Sequence, residues 1–212
     1  MVIGSEIIKK YFSELSADQM AQFDTLGDLY VEWNSKINVI SRKDIDSLYP
    51  KHILHSLSIA KYITFVAGTG ILDLGTGGGL PGIPLAILYP EVQFLLIDAR
   101  AKKISVVNEI IDELGLENVR GIHKRAEDLQ MQFDYVLARA VTRLDKLIEI
   151  SMPLIHQDEK NVIPNGLITL KGGDLTQEIN EVSKQHQVEQ VCVQTLISEP
   201  IFHDKYILYV QA

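Results

Sequence analysis

The run Ile71-Leu72-Asp73-Leu74-Gly75-Thr76-Gly77-Gly78-Gly79-Leu80-Pro81-Gly82 constrains the chain more than any other segment, because an apolar stretch ends in a carboxylate and then in closely spaced glycines. Such a stretch reads as a buried strand, and glycines after it let the chain turn with backbone N–H groups and a helix N-terminus facing a ligand. This arrangement belongs to an open α/β sheet, where ligands sit beyond the carboxyl ends of the strands. The expected ligand is nucleotide-like.

Two ligand classes compete. Gly77-x-Gly79-x-x-Gly82 fits the dinucleotide fingerprint, and Asp98 lies at about the spacing expected of its ribose-binding acid. In that fingerprint the first glycine stands straight off the strand, and here Gly75 holds that place. Counted from Gly75 the pattern is Gly-x-Gly-x-Gly, with Asp73 two residues ahead. An ionised Asp beside a pyrophosphate would oppose both the bound charge and the helix dipole that favours it. Beside an ammonium and a sulfonium it is an attraction, and S-adenosylmethionine carries both. These residues resemble motif I of the Rossmann-like S-adenosylmethionine methyltransferases, an acid, any residue, then Gly-x-Gly-x-Gly. A bland alternative remains, in which the glycines merely let a helix pack closely on a strand.

A chain of 212 residues with 46% hydrophobic content suffices for one α/β domain with an added helical segment. We expect residues 1–66 to form an N-terminal helical cap of the same globule and residues 67–212 to form the cofactor-binding catalytic domain. The single cysteine, Cys192, excludes an internal disulfide and a cysteine-rich zinc site, which fits a reducing compartment. The first residues lack a basic, apolar leader, and no stretch reaches membrane-spanning length. The expectation is a cytoplasmic monomer without metal or membrane partner.

A net charge of −8 argues mildly against a nucleic-acid partner. Its distribution softens the objection. Lys36, Arg42, Lys43, Lys51, His52 and His55 crowd the segment before the glycines. Lys102, Lys103, His123, Lys124, Arg125, Arg139, Arg143 and Lys146 fall near predicted strand ends and the helix starts after them. About half of these read as ordinary solvated charge. A local basic mouth on an acidic body is compatible with the rest.

The first seventy residues read as helical. Ile8, Tyr11, Phe12 and Leu15 make one amphipathic helix; Ser16-x-x-Gln19 has the form of a capping box, with Met20, Phe23, Tyr30 and Trp33 following at helical spacing. Pro50 should break the chain, and 51–63 should form a further helix with His52, His55, Ser56 and Ile59 on one side. Strands are predicted at 71–74, 93–97, 119–122, 135–138, 167–170, 190–194 and 206–210, with a helix over Ile104, Val107, Ile111 and Leu114 ended by Gly115. The fold class is therefore α/β, a Rossmann-like methyltransferase fold with a mostly parallel sheet of about seven strands, helices on both faces and the helical cap.

At the strand ends, Asp98 is suited to accept both ribose hydroxyls, and Ala126-Glu127 to face an adenine. Their bland readings are a helix N-cap and a solvent-facing loop acid. Arg139 ends the fourth strand beside the place for a methyl acceptor, with an ordinary ion pair as its alternative. Ala138-Arg139-Ala140-Val141 lacks the Asp or Asn before Pro-Pro and an aromatic that enzymes methylating exocyclic amines use. Methylation at cytosine C5 needs a cysteine nucleophile, and Cys192 lies in a far strand. No carboxylate cluster suggests a metal. An acceptor with a free lone pair at neutral pH remains, such as guanine N7, whose attack on a sulfonium needs positioning rather than a general base.

Read together, Trp33–Ser41, His52-Ile53-Leu54-His55-Ser56, Leu72–Pro84, Ala138-Arg139-Ala140 and Leu170-Lys171-Gly172 resemble the small-subunit ribosomal RNA guanine-N7 methyltransferases, once called glucose-inhibited division protein B. The match spans most of the chain, and Gly-Leu-Pro-Gly-Ile-Pro is far more specific than motif I alone. The resemblance implies methyl transfer from S-adenosylmethionine to N7 of one guanosine of 16S rRNA near the decoding centre. It carries cofactor contacts onto Gly75, Leu80, Ala126, Glu127 and Arg139, beside Asp73, Gly77, Gly79 and Asp98 from motif I and the strand ends. Asn34, Asn38, His52, Ser56 and Lys171 become candidates for the RNA side, and Arg139, Lys171 and His52 for catalysis. The partner is then 16S rRNA or the 30S particle. One departure is His55, where the family usually has Asp. The rival readings are a small-molecule methyltransferase and a non-catalytic nucleotide-binding module.

Overall fold

The computed structural model describes residues 4–41 and 43–212, so Arg42 and the first three residues lie outside the described residues. The sheet contains β1 (Gly70–Leu74), β2 (Gln93–Asp98), β3 (Val119–His123), β4 (Tyr135–Arg139), β5 (Gly166–Gly172), β6 (Val188–Cys192) and β7 (Lys205–Gln211) in the order β3-β2-β1-β4-β5-β7-β6. Strands β1 to β5 run parallel, and β7 lies antiparallel between β5 and β6. Strand order reverses between β1 and β4, which opens a crevice beyond their carboxyl ends. This is the Rossmann-like methyltransferase fold expected from the sequence.

The helices are α1 (Glu6–Tyr11), α2 (Ala17–Lys36), α3 (Leu54–Leu57), α4 (Ile59–Tyr62), α5 (Gly82–Leu88), α6 (Ala101–Glu113), α7 (Leu144–Ser151), α8 (Thr176–Val182) and α9 (Val193–Leu196). The capping box forms: Gln19 N donates to Ser16 Oγ, and Ser16 N to Gln19 Oε1. Gly115, at φ +62°, closes α6 in the left-handed conformation that a C-terminal cap requires.

Three expectations shift. Leu15 falls outside α1. Pro50 does not break the chain: it sits in the first turn of a wide helical segment, Tyr49–Ile53, that runs on into α3. At that position the missing N–H falls among the first-turn donors that a helix leaves without an internal partner. The sixth strand ends at Cys192, and Val193 starts the short helix α9, which buries Val193 fully and leads to the equally buried Ile197 at its end.

Two apolar layers cover the sheet. One joins Ile71, Leu96 and Tyr135 with Phe23, Leu26 and Tyr30 of α2 and Leu54 and Leu57 of α3. The other joins Leu72, Leu95 and Val136 with Leu144, Leu147 and Ile148 of α7. The N-terminal helices also reach the glycine turn directly, because fully buried Tyr30 donates its hydroxyl to Gly78 O at 2.8 Å.

Candidate active site

The glycine turn follows β1 as the sequence suggests. Gly75, Gly77 and Gly79 have φ of +67°, +62° and +95°, which side chains with a Cβ rarely adopt. Asp73 is fully buried beneath the turn, and its Oδ2 accepts from Thr76 Oγ1 at 2.6 Å and Gly82 N at 2.8 Å. A Cβ at position 82 would stand 2.8 Å from that same oxygen, so only glycine admits the bond. Asp73 Oδ1 is buried without a partner. Burial raises the Asp73 pKa to about 6, against the pull of Thr76, Gly82 and Arg139.

Asp98, at the end of β2, accepts from Gly77 N at 3.0 Å and from Arg100 N at 2.9 Å. Asp73, expected to attract a cationic ligand, and Asp98, expected to hold ribose hydroxyls, therefore both also shape the turn.

Arg139 ends β4 partly buried, and its loss of solvent lowers its pKa while Tyr30 and Asp73 oppose the shift. Among the described residues it has no carboxylate within ion-pair distance. Its Nη2 donates to His52 Nδ1 at 3.2 Å. A guanidinium can only donate, so His52 Nδ1 holds the lone pair and Nε2 the proton. That Nε2 is buried without a partner, as is the Nε2 of His55. Burial, aided by Arg139, lowers the pKa of His52 to about 4 and that of His55 to about 3, so both rings are neutral at pH 7. The His55 ring lies 5.6 Å from that of Phe202.

A cleft of about 760 Å³ opens on this ensemble. Of the residues singled out from sequence it brings together Gly75, Gly77, Leu80, His52, Arg139 and Lys171, with Lys51, Lys103 and His55 of the basic set. Asp73, Asp98 and Gly79 stand behind the lining rather than in it. Ala126 and Glu127 open a 3-10 turn after β3, the first buried and the second exposed, outside the cleft wall.

Two RNA-side candidates are placed inside the protein. Asn34 is buried, and its Oδ1 accepts from Val39 N and Ile40 N, both at 2.9 Å, so it shapes the bend after α2. Ser56 is fully buried and donates to His52 O at 2.8 Å within its own helix. Asn38 is exposed beside that bend. Outside the cleft, Arg143 pairs with Glu181, and Lys36 with Glu32 at 2.6 Å, the ordinary fate of surface charge. Cys192 stands at the end of the edge strand β6. Among the described residues there is no cluster fit to hold a metal, and no helix is long and apolar enough to cross a membrane.

Lys171 is not a free cation. Its Nζ donates to Glu178 Oε2 at 2.7 Å and to Thr142 O at 3.0 Å, while the same Glu178 oxygen accepts from Leu144 N, the first residue of α7, at 2.8 Å. One carboxylate from α8 thus caps α7 and fixes the 140–143 segment. Within that segment Ala140 has φ +55°, and the Val141 side chain fills the space that a Cβ on Gly75 would need. Sequence reading missed Glu178, since nothing local marks a cap supplied from another helix. Glu178→Ala should lower stability by about 1–2 kcal/mol, read as a fall in the urea midpoint with unchanged slope. An unmoved midpoint would mean the 140–143 segment stands without it.

A family profile described as "GidB: rRNA small subunit methyltransferase G" matches residues 19–201 of the chain. The chain belongs to the rRNA small subunit methyltransferase G family. Among curated members, "Ribosomal RNA small subunit methyltransferase G" of Porphyromonas gingivalis is 50% identical over 207 residues, 97% of this chain and 93% of the relative. The Phocaeicola vulgatus member of the family is 53% identical over 205 residues, 97% of each chain. Among solved structures, a "SAM dependent methyltransferase from Aquifex aeolicus" superposes with a TM-score of 0.57 at 15% identity, over 81% of this chain and 98% of that one. This likeness shows the fold, and together with membership in the rRNA small subunit methyltransferase G family it makes the chain a methyltransferase.

Proposed function

We propose that the chain transfers a methyl group from S-adenosylmethionine to N7 of a specific guanosine in 16S ribosomal RNA. The observation that carries the donor half is a pair of opposite charges at the glycine turn that attract each other across the site without joining in an ion pair. Asp73 Oδ1 has no partner, and Arg139 has no carboxylate among the described residues. Buried charge without an ion-pair partner is costly, so such a site fits a ligand that brings both signs, as the amino-acid end of S-adenosylmethionine does. Gly75, Gly77 and Leu80 would line its seat, with Asp98 holding the turn through Gly77 and with Ala126 and Glu127 on the adenine side. When bound, the donor supplies an electrophilic methyl on a sulfonium.

The protein's own contribution is to position and to desolvate. Guanine N7 carries its lone pair at neutral pH, so no side chain needs to remove a proton, and neutral His52 and His55 suit a cleft without a base. Their neutrality also avoids repelling the positive charge that methylation creates on the purine. The ribosomal substrate is supported by the names of the curated relatives, and the acceptor atom by the family resemblance. We take the enzyme to act in the cytoplasm as a monomer, on naked 16S rRNA or on the 30S particle, with residues 1–66 closing over the catalytic part.

Methyl incorporation from labelled S-adenosylmethionine into 30S particles or naked rRNA, followed by mapping of the modified nucleotide, tests the reading. Label at N7 of a single small-subunit guanosine is expected, and label in neither RNA would end it. Arg139→Ala should lower kcat/KM by about 10- to 100-fold, the worth of one charge-assisted hydrogen bond in a desolvated site. Unchanged kinetics would remove Arg139 from the chemistry. The net charge of −8 favours a second reading, a small-molecule acceptor, and the same labelling separates the two. A mere nucleotide sensor would instead bind NAD tightly and ignore S-adenosylhomocysteine in calorimetry.

A further inference from the structure

A side lobe of about 360 Å³ opens off the main cleft on the side of α3 and shares Lys51, His52, His55 and Lys205 with it. Its remaining lining is Asp44, Ile201 and Phe202. The inner wall is aromatic and apolar: the Phe202 and His55 rings meet at 5.6 Å, and Ile201 adjoins them. His55 Nε2 stands buried in this wall without a partner. The rim is charged. Lys51 Nζ pairs with Asp44 at 2.6 Å and Lys205 Nζ with Asp204 at 2.7 Å, the lysine side chains being 40% and 34% exposed.

A wall of aromatic and apolar side chains that carries an unused polar atom, with two cations at the rim, matches a nucleotide with its base inside and its phosphate at the rim. The carboxylates already on those lysines are no obstacle, because exposed pairs of this kind contribute at most about 1 kcal/mol and a phosphodiester oxygen of the RNA accepts from the same ammonium groups. The wall also suits the product. Neither imidazole is protonated at pH 7, so a purine gaining positive charge meets no like charge from the rings that line the lobe.

We propose that this lobe is the acceptor subsite, holding the target purine nucleotide with its base against His55 and Phe202 and its phosphate at Lys51 and Lys205. The assignment rests on the methyl-transfer reading above and adds to it a place for the acceptor distinct from the glycine turn. Binding of S-adenosylhomocysteine, measured first by calorimetry, tests the donor reading by itself. The loaded protein is then titrated with 5′-GMP, guanosine and inorganic phosphate at millimolar concentration while the resonances of its six histidines are followed by NMR. With 5′-GMP the His52 and His55 signals should move while those of His156 and His186 stay, and guanosine should bind more weakly. Lys205→Gln should weaken 5′-GMP about tenfold and raise the KM for RNA without a matching change in the KM for the methyl donor. Still His52 and His55 signals with 5′-GMP, or equal 5′-GMP affinity in Lys205→Gln, would overturn the subsite. Inorganic phosphate alone producing the same shifts would also overturn it, reducing the lobe to an anion site.

Discussion

Acidification from pH 6.5 to pH 4 should cost the fold about 3 kcal/mol net, seen as a falling urea midpoint. His52 and His55 are buried neutral, with pKa values of about 4 and 3 against an ordinary 6.5. Below pH 6.5 the unfolded chain takes up protons that the folded chain refuses. Stability is therefore full above that pH and declines as pH falls, by about 1.4 kcal/mol per unit for each imidazole. Asp73 works in the opposite direction. Its pKa is raised to about 6 from 3.8, so across that window the folded chain binds a proton first and recovers about 3 kcal/mol. Two imidazoles outweigh one carboxyl. In His55→Gln the slope between pH 6 and pH 4 should nearly vanish, because the remaining imidazole is offset by Asp73. A flat midpoint between pH 6.5 and pH 4 would show that the two rings are hydrated rather than buried.

Asp73→Asn should separate donor binding from stability. The expected loss of affinity for S-adenosylhomocysteine is on the order of 1–3 kcal/mol, about 10- to 100-fold, since on the proposed reading the variant removes a desolvated charge that attracts the ammonium from beneath the turn. An amide keeps a single oxygen for Thr76 Oγ1 and Gly82 N, so the turn stays closed. Folding should not suffer in proportion. A carboxylate whose pKa burial has pushed up is a strained anion at pH 7, and neutralising it removes that cost. The variant should therefore unfold at the same or a higher urea concentration while binding the donor worse. Equal affinities in calorimetry would confine Asp73 to shaping the turn.

Much of this architecture was legible because it is written locally. Short continuous apolar runs, a capping box at Ser16 and Gln19, and glycines that need positive φ each leave a mark within a few residues. The glycine turn also fixed where the crevice would open. What the sequence did not show depends on contacts across the fold. Asn34 and Ser56 look like exposed polar residues until the bend after α2 and the turn into α3 bury them. Glu178 carries no signal of its own, since its worth lies in reaching Leu144 and Lys171 from another helix. Phe202 and Lys205 sit after the last predicted helix, where nothing local ties them to His55. The early end of β6 has the same origin, a buried position for Val193 that only the finished core creates.

The bond from Tyr30 to Gly78 reaches further than packing. Composition suggests a seam near residue 66, where helices give way to alternating strands. Chemically that seam is sealed, because a side chain from the early segment grips the backbone of the ligand-facing turn in the later one. Chimeras that exchange the first 66 residues between relatives would have to inherit that phenol and its reach together. The two stretches are thus coupled mechanically, as halves of one lock rather than as a blade and its handle.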